Sequence, residues 1–342
     1  MRPWLFMAGT VAMILALSAL FLAATGIDVV AAGRAMIGGS VGSEYAIFSA
    51  TLVRAIPLIL TGLAVAWAFN AGVFNIGVEG QLLVGASAAT AIGLALPGGI
   101  GSAALAMAGG ALAGAGWAGI AAWLRVRFAV LEVISTIMLN FVALQLVAYL
   151  VHGPLGDPNG IYPQSPSLPT STWLPRIVPG SRLHAGFAIA VTACVVAWYV
   201  RRHMAAGFRL RLVGANPNAA WISGGVAVNR VTVSAFLVSG AIAGMAGAIE
   251  VTGVTYALYE SISPGYGYTA IAVALLANLN PAGVIASGIG FGALEAGAAS
   301  MQRDAGVPAV IVSVIEAMVI LLLAASHLGL GAKSGQMKAG SA

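Results

Sequence analysis

The chain has 342 residues, 60% hydrophobic and only 7% charged, with a formal net charge of +5. A soluble domain carries about 25% charged residues; a surface this poor in charge excludes a water-bathed globule and demands lipid as the main solvent. The positive excess does not mark a nucleic-acid binder, because the basic residues lie in short segments between apolar runs rather than in one patch.

The elements in chain order are ten apolar runs: residues 4–25, 55–69, 82–96, 102–124, 133–151, 185–200, 231–249, 266–279, 282–299 and 308–326. A spanning helix needs about 20 residues, so the shorter runs are completed by polar or glycine-rich flanks. The runs are continuous and do not alternate with period two, which makes them helices and not barrel strands. The expectation is an all-α polytopic membrane protein of about ten transmembrane helices, nine to eleven depending on how the short runs are divided. The first run, "MRPWLFMAGTVAMILALSALFLAATG", exceeds the apolar core of a signal peptide and reads as the first span.

"AFNAGVFNIGVEGQLLVG", residues 68–85, interrupts this pattern. It holds Glu79, the only charged side chain between Arg54 and Arg125, together with Asn70, Asn75 and Gln81 among glycines. Glycine weakens a helix by about 1 kcal/mol relative to alanine. Backbone that leaves the helix at membrane depth must be buried in protein or line a cavity. Residues 70–81 are therefore expected to form a broken or re-entrant element lining a path, with Glu79 either pinning the break or touching a polar solute. "AGGALAGAG" follows and reads as a face for close helix packing, as does "GAIAG" with Gly240 and Gly244. Glu132, just after Arg125 and Arg127, reads as a helix-start carboxylate.

Residues 152–184 hold seven of the fourteen prolines. Proline lacks an amide donor and clashes with helix geometry, so this is a loop, either a docking surface or a linker. It divides one membrane domain into a first half, 1–151, and a second, 185–330, with a tail at 331–342. The single cysteine, Cys194, forms no internal disulfide and reads as a packing residue. Residues 201–230 contain four arginines and then "GANPNAAWISGG". Asn216 can cap a helix with Pro217 at its first position, and Gly224 and Gly225 stop it. A short helix carrying Ala219, Ala220, Trp221 and Ile222 outside the membrane is expected, as an interfacial anchor or as a knob for a partner protein.

Glu250 and Glu260 fall at the end of the seventh run, where solvation is expected. "SISPGYGYTAIAVALLANLNPAG", residues 261–283, then gives the second half its own interruption at Pro264, Gly265 and Gly267. Interrupted hydrophobic segments in both halves point to a transporter's path. Tyr266 and Tyr268 can stack on a ring-bearing solute or belong to an interfacial aromatic belt. Glu295 and Glu316 can pair with Arg303 or with neighbouring amides. With ten spans and both termini inside, Arg2, Arg125, Arg127, Arg201, Arg202, Arg209, Arg211, Arg230, Lys333 and Lys338 face the cytoplasm. Arg34, Arg54, Arg176, Arg182 and Arg303 lie outside or at the outer interface, which satisfies the positive-inside bias. "GLGAKSG" lacks the second glycine of a phosphate loop and follows no strand, so no ATP site is encoded. The histidines lack metal-ligand spacing, and no catalytic constellation falls within the spans.

Four stretches, "FNIGVEGQLLVGA", "VLEVISTIMLNFVALQLVAYLV", "RLVGANPNAAWISGG" and "PGYGYTAIAVALLANLNPAGV", together resemble the permease subunits of bacterial ABC importers for branched-chain amino acids, ribose-type sugars and nucleosides. The likeness is nearest to nucleoside or simple-sugar permeases paired with a basic-membrane-protein-type lipoprotein, and it covers about residues 50–325. It implies two pseudo-repeated halves in the bacterial cytoplasmic membrane. It implies a second homologous permease, a cytoplasmic ABC ATPase that binds the ATP, and an external solute-binding lipoprotein; no cofactor is expected on this chain. It implies that Gly214, Ala215, Asn216, Pro217, Ala219, Ala220 and Trp221, within a coupling helix at 214–225, engage the ATPase. The path would pass Asn70, Asn75, Glu79, Gln81, Asn140, Tyr266 and Tyr268. The scarcity of charge along it favours a neutral solute, and the tyrosines favour a nucleoside over a sugar. The alternative is an ATPase-independent channel or ion-coupled carrier with Glu79 as a proton or sodium site.

Overall fold

The computed structural model describes residues 3–96, 99, 101–158, 160–315 and 317–319. The regular elements among them are helical: α1 Pro3–Ala24, α2 Val29–Ser40, α3 Leu52–Asn70, α4 Val78–Ala95, α5 Ser102–Phe128, α6 Glu132–His152, α7 Gly186–His203, α8 Ala205–Ala215, α9 Pro217–Gly224, α10 Val228–Glu250, α11 Tyr266–Leu276 and α12 Pro281–Asp304. A π-helical turn over Ala46–Thr51 leads into α3, and another over Val251–Thr255 extends α10. Six of these helical stretches are long and apolar enough to cross a bilayer: Ala46–Asn70, Val78–Ala95, Ser102–Phe128, Glu132–His152, Val228–Thr255 and Pro281–Asp304. Shorter apolar helices cover Ala12–Ala24, Tyr266–Leu276 and Ala309–Val319.

The described residues form two compact units. One draws on residues 1–54 and 290–342. Its core is Leu22, Ala32, Ala298, Met301, Val307, Val312 and Ile315. Helix α2 was not expected from the sequence; Asp28 starts it by accepting hydrogen bonds from the Val30 and Ala31 amides at 2.8 and 3.1 Å. Arg303 pairs with Asp304 at 3.0 Å and bonds the Ser300 hydroxyl at 2.8 Å. Glu316, Lys333 and Lys338 lie outside the described residues.

The other unit, residues 55–289, is built on α4, α5 and α10. Their axes approach where glycines face each other. A methyl group on Gly114 would come within 2.7 Å of the Gly244 Cα, and one on Gly110 within 2.8 Å of the Gly85 carbonyl. Gly110 and Gly114 belong to "AGGALAGAG" and Gly244 to "GAIAG", while Gly85 meets Gly110 from α4. Phe236, fully buried among Ala68, Ala118, Ala121, Ala122 and Ala235, fills the space beside them. At the start of α6, Glu132 pairs with Arg125 at 2.5 Å.

The proline-rich segment is docked along residues 252–259. The Ser165, Leu168 and Leu174 amides donate to the carbonyls of Leu258, Tyr256 and Thr252 at 2.9, 2.8 and 2.9 Å. Trp173 stacks on Tyr256, ring centroids 4.0 Å apart. Glu250, expected at a solvated helix end, is only 5% exposed; the π turn carries the helix past it and the docked segment covers that end. His184 is 1% exposed, accepts the Gly186 amide on Nδ1 at 3.2 Å and packs on Gly253. Burial, with the neighbouring Arg182 charge, pushes its pKa down to about 4.

Candidate functional site

The helix that would have joined α3 to α4 is broken over residues 71–77. Gly72 turns the chain with a positive φ of 70°, a conformation open to glycine. The loose backbone groups are then taken up by the polar residues nearby. Asn75 and Gln81 exchange two amide hydrogen bonds, at 3.0 and 3.1 Å, and Asn75 also donates to the Ser239 hydroxyl at 2.9 Å. Ser239 in turn donates to the Ala64 carbonyl at 2.8 Å. A helix leaves its first amides without internal partners. At α4, the Gly77 amide donates to Asn75 Oδ1 at 3.0 Å and the Gly80 amide to Asn140 Oδ1 at 2.8 Å, while Asn140 Nδ2 returns a bond to the Ile76 carbonyl at 2.9 Å. Asn140, on α6, thus caps α4 from outside.

The second interruption ends at α11, and Glu79 ties it to the first. Ser263 Oγ accepts from the Gly265 and Tyr266 amides at 3.2 and 3.1 Å. Glu79 Oε2 accepts from the Gly267 amide at 2.6 Å and takes the Ser263 hydroxyl as a further partner. One carboxylate therefore sits in the first turn of α4 and against the first turn of α11, where two helix N-termini present partial positive charge. It is 5% exposed. Gly267 permits this approach, since a methyl group there would lie 2.9 Å from the Glu79 Cβ and closer still to its backbone. Tyr266 is buried, whereas Tyr268 is 47% exposed with its hydroxyl 3.5 Å from Asn140 Nδ2.

Asn70 is the last residue of α3, at the edge of the first break. Its Nδ2 donates to the Ala66 and Leu279 carbonyls at 2.7 and 2.8 Å, and Arg201 donates to the same Leu279 oxygen at 2.7 Å. Asn278 and Leu279 hold positive φ of 50° and 55° there, a costly conformation for residues with a Cβ. The end of α8 leans on the first break: a methyl group on Gly72 would lie 3.3 Å from the Gly214 Cα. Gly214 and Ala215 belong to α8, and the short helix proper begins at Pro217. Asn216 Oδ1 caps it by accepting the Ala219 amide at 3.0 Å, and Gly225, with φ of 57°, ends it. Ala220 is buried, while Trp221 and Ile222 are 68% and 75% exposed.

The chain matches the family described as branched-chain amino acid transport system / permease component over residues 47–324. It belongs to that permease family. The permease is 39% identical to the glucose ABC transporter permease protein TsgB13 of Haloferax volcanii, over 93% of this chain and 86% of the relative. It is 39% identical to the guanosine ABC transporter permease protein NupP of Bacillus subtilis, over 92% and 90%. It is 31% identical to the nucleoside ABC transporter permease protein NupB of Lactococcus lactis, over 80% and 77%. No solved structure matches it.

The permease is a multi-pass membrane protein and a transport subunit rather than an enzyme. Among its described residues no group of three His, Cys, Asp or Glu side chains is placed to hold a metal ion. Asn75, Gln81 and Asn140 gather at the first break, Glu79 and Asn140 reach the start of α11, and Asn70 bridges α3 to Leu279. Sequence reasoning missed Ser239, Ser263, Arg201 and Leu279. Only Ser263 carried a local signal: a serine shortly before a helix start is a cap candidate.

Proposed function

We propose that this permease is the membrane-spanning subunit of an ATP-driven ABC importer that moves a neutral polar solute, a nucleoside first and a simple sugar next, by alternating access. The observation that carries the mechanism is α9. A capped two-turn helix with Trp221 and Ile222 bared follows α8, whose Gly214 rests on the break at Gly72. A partner pressing on α9 moves α8 against the backbone turn between α3 and α4. The solute path runs past 70–81, Asn140 and 264–268. The relatives' names supply the solute class, and the absence of lysine and arginine between Arg54 and Arg125 fits an uncharged passenger.

The finer reading has ten spans, with both termini and the arginine-rich 201–230 region in the cytoplasm and residues 152–184 outside, as the positive-inside bias requires. The partners are a cytoplasmic ABC ATPase that binds the ATP, a second homologous permease and an external solute-binding lipoprotein. The test is uptake of labelled guanosine by cells carrying the assembled transporter. Replacing Asn216–Trp221 with a Gly/Ser linker is expected to abolish uptake while ATP hydrolysis continues and the protein stays folded. Undiminished uptake in that variant, or uptake that persists without the ATPase, would instead identify a self-sufficient channel or ion-coupled carrier.

A further inference from the structure

A cleft of about 600 Å³ opens beside the second break, lined by Tyr162, Gln164, Tyr259, Glu260, Ser261 and Ser263 among others. Its walls are built. Gln164 and Tyr259 form an antiparallel bridge, and next to it Ser165 and Leu258 exchange two hydrogen bonds of 2.9 Å. Its lining comes from Leu144 on α6, from residues 162–164 and from residues 259–263, and includes no residue of α8 or α9. Two phenol rings, an amide, a carboxylate and two hydroxyls face it, with no lysine or arginine among the lining residues. A pocket of several hundred Å³ suits a small molecule. Paired hydroxyls of a solute satisfy the carboxylate and the amide, and a flat ring finds the tyrosines. A phosphate would meet Glu260 with no lining cation to offset it.

Ser263 gives the cleft a consequence. Its Oγ accepts the first two amides of the α11 turn and its hydroxyl serves Glu79. A solute hydroxyl that bonds Ser263 competes with the contacts that hold the two breaks together. We propose that this cleft is an entry site for an uncharged ring solute with vicinal hydroxyls, of the nucleoside class, and that Ser263 passes its occupancy to the joint at Glu79 and Gly267. The inference rests on the transport reading above and adds a location and a recognition chemistry to it.

The test uses the purified full-length chain in lipid nanodiscs, without partners or ATP. Labelled guanosine is expected to bind, with Glu260→Gln and Tyr162→Ala each weakening it by about tenfold or more, a change of about 1.4 kcal/mol. Both residues are exposed, so neither change threatens the fold, and a thermal melt verifies this. Tyr149→Ala, at an exposed tyrosine outside the cleft, leaves binding unchanged. Guanosine 5′-monophosphate and 2′,3′-dideoxyguanosine bind at least about tenfold more weakly than guanosine. No guanosine binding to the folded chain, binding indifferent to both cleft variants, or equal affinity for the monophosphate overturns the site. Glucose binding there with guanosine excluded overturns the nucleoside class. Guanosine should also raise amide hydrogen exchange over residues 265–267, and unchanged exchange removes the link through Ser263. Because this assay contains no ATPase, its failure leaves ATP-dependent uptake intact as a separate result. Lost ATP dependence with normal cleft binding would reject the importer reading instead.

Discussion

Glu79 shows how a carboxylate becomes tolerable inside a membrane protein. A charge at the bilayer centre costs roughly 2.5–3.5 kcal/mol on insertion scales, and here two helix N-termini and a serine hydroxyl receive it. We predict that Glu79→Gln retains an acceptor for the Gly267 amide and folds. Glu79→Ala leaves that amide unpaired and is expected to lose about 1–3 kcal/mol, read as a lower melting temperature, along with guanosine uptake at equal expression. Gly267→Ala tests the same contact from the other side. Its methyl group would press on the Glu79 backbone, and overpacking costs about 1–3 kcal/mol. Gly290→Ala is the matched control: it lies within α12 with open space around it, so the melting temperature should hold or rise, since alanine is favoured in a helix by about 1 kcal/mol. Polar residues in an apolar run made Asn75, Glu79 and Gln81 visible in the sequence. Ser263 stayed hidden because one serine in a loop looks like any other until its partner, 184 positions away in the chain numbering between Glu79 and Ser263, is brought to it.

At the scale of elements, the helix breaks were legible because asparagine, glycine and proline at 70–77 and 264–281 weaken helices by known mechanisms. Helix α9 was legible too, since Asn216, Pro217 and Gly225 are cap residues. Helix α2 was not, because twelve residues are too few for a span and three glycines among them weaken a helix. The π turns were not either, since a change in hydrogen-bond register leaves no mark in composition. The docked 152–184 segment depends on backbone pairing with 252–259, which a proline count does not reveal. Its attachment should be acid-sensitive. The unfolded segment binds a proton on His184 below about pH 6.5, whereas the folded one does so only near pH 4. The stability present above about 6.5 is therefore lost as the pH falls from there toward 4. His184→Asn keeps an acceptor for Gly186 and cannot take up that proton. Melting temperatures measured from pH 7.5 down to 4.5 should fall less steeply in this variant than in the wild type; parallel curves would assign the acid response to other groups.

For the whole molecule, the informative quantity is where charge is allowed. Fifteen basic and ten acidic residues in 342 cannot cover a water-facing surface, so membrane residence was readable from composition alone. The ends of the spans were readable from where the arginines fall. The proposed sidedness rests on that bias and is open to direct measurement. The native Cys194 is buried, which leaves a clean background for labelling. A cysteine placed at the exposed Trp221 is predicted to react with a membrane-impermeant maleimide only in inverted vesicles. One placed at Ile161, 95% exposed, should react only in intact cells. The opposite pattern would turn the protein over and put α9 beyond the reach of any cytoplasmic partner.

The Leu279 carbonyl holds donors from the ends of two different helices at once, on a backbone already bent into left-handed territory. Drawing α3 and α7 apart at this corner therefore means breaking at least one of these bonds, each worth about 0.5–1.5 kcal/mol and more where the donor is charged Arg201. The Leu279 oxygen thus couples the ends of α3 and α7, so that neither moves far without loosening the other's hold on it.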